Sequence, residues 1–267
     1  MPNPFVPIIN SYLPEPHASL LNGILFGIKA TMPKSFYYGL RDVGLLHIIA
    51  LSGMNITILI NLFAKGTLYL GRRISITFTI IAIFLFVVFV GPSPSIVRAA
   101  IMGTMSLLSI YFGRLSWGLL SLVLASIIML LTNFTLISDL SFQLSFLATL
   151  GIILAGKYTK CQKTRGLIRQ SIHCLKENLI LTLAAQLFTL PIIIYHFHRL
   201  SLVAPISNLL VEWTMQPIMV IGFVTAIFGF IWWPLGLVPA WTNWVLLTYF
   251  IKVVEILDQI PGASIKF

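Results

Sequence analysis

Gly91-Pro92-Ser93-Pro94-Ser95-Ile96-Val97-Arg98-Ala99-Ala100 ends one long apolar run and opens the next. Pro92 and Pro94 remove backbone donors and stop the preceding helix, while Gly91 frees the turn, so the break is built into the sequence. The same stretch delivers Arg98 into an apolar helix, where a charge is expensive and asks for a reason. The flanking runs, Ile74 to Val90 and Ile96 to Phe112, would each make about 26 Å of helix at about 1.5 Å per residue. That falls slightly short of a hydrocarbon core of about 30 Å, so the tip of this hairpin is expected below the membrane surface. Two readings of Arg98 follow: a side chain snorkelling to lipid phosphates, or a charge facing a wet cavity inside a bundle.

The rest of the chain fits this setting. It is 58% hydrophobic and 9% charged over 267 residues, far from the quarter of charged residues usual in soluble domains. The apolar runs are continuous rather than alternating, and lipid admits only helices and closed barrels. The expected fold is therefore all-α, a polytopic integral membrane helical bundle with broken or re-entrant helices. Met1 to Asn10 lack a basic start and a cleavable apolar core, so insertion is expected to use an internal helix. The net charge of +10, from 17 Lys and Arg against 7 Asp and Glu, is what the positive-inside rule gives; an anionic partner, lipid headgroup or nucleic acid, gives it as well.

Residues 1–17 read as irregular, and 18–31 as a short amphipathic helix on the membrane surface, too short to span. Val43 to Ala64 is apolar but interrupted at Ser52-Gly53-Met54-Asn55, the pattern of a broken or re-entrant helix. Leu115 to Ser138 reads as one span and Leu140 to Gly156 as another, with Asp139 as its N-cap. Lys157 to Glu177 holds six basic residues and one acid, which makes it a cytoplasmic loop, and its Cys161 and Cys174 would stay reduced. Leu179 to Tyr195 contains Gln186 and Pro191 and spans again, ahead of the polar turn His196-Phe197-His198-Arg199. Trp213 to Ile251 carries only apolar and neutral residues and should form two helices with Pro234 and Pro239 near their turn. Trp232, Trp233, Trp241 and Trp244 read as interfacial anchors.

The sequence holds little that would do covalent chemistry. His196 and His198 lack the third ligand of a metal site, and His47 with Ser52 lacks an orienting acid and an oxyanion hole. No metal or other cofactor and no enzymatic activity are expected. Polar residues within the spans, Ser52, Asn55, Arg98, Gln143, Ser145, Gln186 and Asn208, would each serve as interhelical hydrogen bonds. As a set, amides plus one arginine with few acids suit a path for an anionic, hydrogen-bonding chain and suit a cation pump poorly. Phe142, Phe146 and Phe188 read first as aromatic packing between helices, with base stacking as the functional alternative. Gly53, Gly91, Pro92, Pro94 and Pro191 are the expected structural breaks.

At these residues a family resemblance enters. Leu45-Leu46-His47-Ile48-Ile49-Ala50-Leu51-Ser52-Gly53-Met54-Asn55-Ile56 resembles the HLLAISG signature of the ComEC competence family. Gly91 to Met102 resembles its PSVLRAAIM segment, Phe142 to Phe146 its FQLSF, and Ala184 to Leu187 with Thr189 to Pro191 its AAQLATLP. Tyr195-His196-Phe197 and Ser207 to Leu210 follow in the family's order. The chain departs from that pattern at Asn55, where many members carry His. It also holds no His-x-His-x-Asp-His run, so the resemblance covers the transmembrane competence domain, residues 43–267, behind an N-terminal irregular and interfacial amphipathic segment, residues 1–42.

The resemblance implies a channel for single-stranded DNA across the cytoplasmic membrane in natural transformation, with DNA and the lipid bilayer as partners. No P-loop occurs in the sequence, so a cytosolic ATPase or helicase, or binding of the emerging strand, would supply directionality, beside a DNA receptor and a separate nuclease. A small-molecule permease and a membrane scaffold with no transported substrate are the rival readings. Saturable solute uptake marks the first, and absence of both solute and strand passage the second.

Overall fold

The computed structural model describes residues 4–28, 32–49, 53–67, 69, 71–115, 117–157, 167–197, 199–201, 203–260 and 264–266. Twelve α-helices account for most of them: α1 Phe5–Tyr12, α2 His17–Phe26, α3 Lys34–Asp42, α4 Leu46–Ile49, α5 Gly53–Gly66, α6 Arg72–Val90, α7 Pro94–Tyr111, α8 Gly118–Thr132, α9 Leu140–Ala155, α10 Leu167–Phe197, α11 Ala204–Ile231 and α12 Trp233–Asp258. Five of the described helices, α6, α7, α11, α12 and the Lys176–His196 part of α10, are long and apolar enough to cross a membrane. The helical class expected from continuous apolar runs is what the chain adopts. The described strands are β1, Arg199–Ser201, and β2, Ser264–Lys266, which pair antiparallel.

The chain divides into two compact units, residues 1–51 with 197–267, and residues 52–196. The first boundary falls within the Ser52-Gly53-Met54-Asn55 interruption: the helix on one side ends at Ile49 and the next begins at Gly53.

The first unit is built on the hairpin of α11 and α12, joined through Trp232. Inside it Asn243 donates to the Ile218 carbonyl at 3.3 Å and the Tyr249 hydroxyl to the Leu210 carbonyl at 3.1 Å. Against this hairpin lie α1 and α2. Helix α2 corrects the expectation of a surface helix at 18–31, because Ala18 through Phe26 are all buried. Its short apolar length is used as core, with Leu21 and Leu25 packed over the bare backbone of Gly222 on α11. Residues 5–12, expected to be irregular, form α1, whose Asn10 accepts a hydrogen bond from the buried Asn22 amide at 2.8 Å. Trp232, Trp233 and Trp241 remain more than half exposed, as interfacial anchors would be.

In the second unit α5, α6 and α7 pack on one another, and α7 also packs on α8 and α9. Gly91 has φ +101°, which a side chain would resist, and Pro94 opens α7 in its first turn. The break therefore sits where the sequence puts it. The arms are longer than read from hydropathy, 19 residues in α6 and 18 in α7, because Arg72 and Arg73 are drawn into helix. At the far end of the hairpin Arg72 donates to the Ile110 carbonyl at 2.8 Å.

Three expectations change here. The run Leu115 to Ser138 is not one helix: α8 stops at Thr132 and a 3₁₀ turn covers Phe134–Ser138. Asn133 makes the stop, its side-chain oxygen accepting from the Thr135 amide at 3.1 Å and hydroxyl at 2.7 Å, a local bond that competes with helix. Pro191 does not break α10, which runs through it to Phe197; helices in a membrane setting can tolerate a proline within their length. The polar stretch ending at Glu177 is partly helix, since α10 begins at Leu167. Asp139 caps α9 as expected, its carboxylate accepting from the Phe142 amide at 3.0 Å.

Candidate functional site

Arg98 lies just past the first turn of α7, directly behind the Gly91–Pro94 break, and its side chain is turned inward rather than snorkelling outward. It is only 6% exposed. The guanidinium crosses to α9, where Nη1 donates to the backbone carbonyl of Ser145. That carbonyl also accepts the Thr149 hydroxyl at 3.0 Å, so one oxygen ties two side chains to the middle of α9. Helix α5 forms the third wall. A Cβ built on Gly53 would stand 3.4 Å from Arg98 Nη2 and 3.3 Å from the Ala99 methyl. The guanidinium thus lies within van der Waals reach of the start of α5, and the closer approach there is to Ala99.

The electrostatics are one-sided. A guanidinium carries five donors, no acceptor and a permanent charge. Arg98 Nε is buried and has no hydrogen-bond partner. The described ion pairs, Arg41 with Asp42 and Lys252 with Glu255, do not include it. The result is a positive charge held among helices with donors to spare.

Of the other residues singled out by sequence, Asn55 is 1% exposed on the first turn of α5, in the same unit. Phe142 is buried and stacks on Phe146, with centroids 6.4 Å apart and planes 18° from parallel. Phe188 packs where α10 passes Gly151, its ring 3.0 Å from the place a Cβ would take there. Gln143 does something the sequence did not disclose: Nε2 donates to the Ile137 carbonyl at 2.8 Å and holds the 3₁₀ turn. Gln186 is half-buried on α10, and its carbonyl accepts from Thr189 at 3.1 Å. Asn208 belongs to the first unit, on α11, with its side-chain oxygen buried and unpartnered. Ser52 and His198 lie outside the described residues.

Ser145 contributes its backbone carbonyl, which no sequence pattern marks. Thr149 was not singled out at all; its i, i+4 spacing from Ser145 on a helix was the available signal. His47 Nδ1 sits 3.1 Å from the Gly44 carbonyl and His196 Nδ1 lies 3.3 Å from the Ile192 carbonyl, so both rings have local backbone partners. Among the described residues no three His, Cys, Asp or Glu side chains converge as metal ligands.

Apolar helices of spanning length, proline and glycine breaks within apolar sequence, and a buried arginine define a multi-pass α-helical membrane protein. The model of the Competence protein family matches residues 24–267, and the chain belongs to that family. It is similar to ComE operon protein 3 of Bacillus subtilis (strain 168), 28% identical over 210 residues, which is 75% of this chain and 25% of that protein. The chain thus spans about a quarter of the length of the curated relative it matches. No solved structure matches it.

Proposed function

We propose that this chain forms a path for single-stranded DNA across the cytoplasmic membrane in natural transformation. Membership of the Competence protein family supports the reading. The observation that carries it is Arg98, a buried cation without a carboxylate partner, set between three helices behind a built-in break. A polyanion crossing a membrane needs fixed positive charge and hydrogen-bond donors along its way, and few acids to repel it. Strand passage leaves every covalent bond intact, so the chain works as a conduit rather than an enzyme. Directionality comes from elsewhere, through a cytosolic ATPase or helicase, with a DNA receptor supplying the strand and a separate nuclease removing its complement.

The test is transformation frequency with Arg98 altered at the chromosomal gene and membrane levels followed by immunoblot. Arg98→Gln and Arg98→Ala should drop transformation to background at normal protein level. Arg98→Lys, which keeps the charge but loses the planar fork, should retain part of it. Normal transformation by Arg98→Gln at wild-type abundance would sink the assignment.

A further inference from the structure

We propose that Arg98 and the start of α5 form a discrete binding site for a single phosphodiester, held by the Nε–Nη2 edge of the guanidinium. The choice of DNA as the source of that phosphodiester rests on the reading of the chain as a DNA path; the site itself rests on the geometry.

Three observations meet here. Arg98 is 94% buried, taking the complement of its 6% exposure. Its hydrogen bond to Ser145 uses Nη1, which leaves Nε buried without a partner. The edge of an arginine that carries Nε and Nη2 presents two parallel N–H groups, the fork that takes two oxygens of one oxyanion. Nη2 lies against Gly53, the first described residue of the 14-residue helix α5. A buried, unpartnered Nε and the adjoining Nη2 thus share one edge beside Gly53, and the described ion pairs leave it without a counter-charge.

The chemistry of the ligand follows from this donor set. A phosphodiester carries one negative charge across the whole physiological range, matching one guanidinium charge for charge. Every nucleotide of a strand presents the same group, so recognition is independent of sequence. A single cation also holds one phosphate weakly enough to release it to the next position, as conduction requires. Phospholipid headgroups carry the same phosphodiester, and the experiment separates the two sources.

Purified full-length chain in dodecyl maltoside is titrated with fluorescent oligothymidylate over a range of salt, and phospholipid phosphorus retained per chain is measured on the same preparations. Arg98→Gln should lower the slope of log affinity against log salt by about 0.7, the value for one phosphate contact on a single strand. Arg98→Lys should keep the wild-type slope. If the slope stays and Arg98→Gln instead loses one retained phospholipid, the site stands and its phosphodiester is lipid. If neither slope nor retained phospholipid changes in a folded Arg98→Gln chain, the site is overturned. Should that variant fail to fold, Gly53→Val decides: it keeps the guanidinium and sets branched carbons beyond a Cβ that already stands in van der Waals contact with Nη2, so unchanged oligothymidylate and phospholipid binding overturns the proposal. Loss of transformation with both slope and retained phospholipid unchanged would remove the site and leave the channel reading intact.

Discussion

Tyr12 fastens α1 to the α11–α12 hairpin with its hydroxyl on the Trp233 carbonyl at 2.5 Å. Its ring stacks on Trp233 and fills the notch left by two glycines, where a Cβ on Gly229 or Gly236 would come within 2.7 Å of it. Tyr12→Phe should cost ~1 kcal/mol, one hydrogen bond. Gly236→Val should cost more, since the ring must leave its place. Thermal unfolding of the purified variants in detergent measures both, and a Gly236→Val chain as stable as wild type would refute the notch. None of this was legible in residues 1–12, because Tyr12 and Gly236 are far apart in the chain. Arg98 was legible, as a lone charge in apolar sequence, but its acceptor was not. A backbone carbonyl has no signature, and the sequence had singled out Ser145 for its hydroxyl.

Among the elements, those set by local chemistry were read correctly. The Gly91–Pro94 break, the Asp139 cap and the turn near Pro234 depend on residues within a few positions of one another, whereas Pro239, expected near the same turn, lies inside α12. Helix α8 was misjudged because hydropathy counts Asn133 as one polar residue in an apolar run, while its side chain ends the helix through two local bonds. The basic stretch from Lys157 to Glu177 still carries a topological prediction. Residues 158–166, with Cys161, lie outside the described ones, and Cys174 falls within α10. A membrane-impermeant maleimide should label neither cysteine in intact cells and reach Cys161 once the membrane is opened; labelling of Cys161 from outside would invert the orientation.

For the whole molecule, the proposal that the chain is a conduit makes a chemical prediction. Purified chain should leave DNA uncut in the presence of divalent metal ions, because backbone-bonded histidines and scattered hydroxyls do not assemble an open metal site. Cleavage that copurifies and disappears on replacing His196 and His198 would show a hydrolytic site at those histidines. The sequence by itself determined the membrane setting, the helical class and the main breaks. Apolar length, proline and glycine act on the backbone within a turn or two, and lipid leaves few alternatives. Only the tertiary structure decided that α2 is core rather than surface and that Arg98 turns inward to α9. Burial depends on neighbours distant in the chain: Gly222 for α2, and Ser145, 47 residues away, for Arg98.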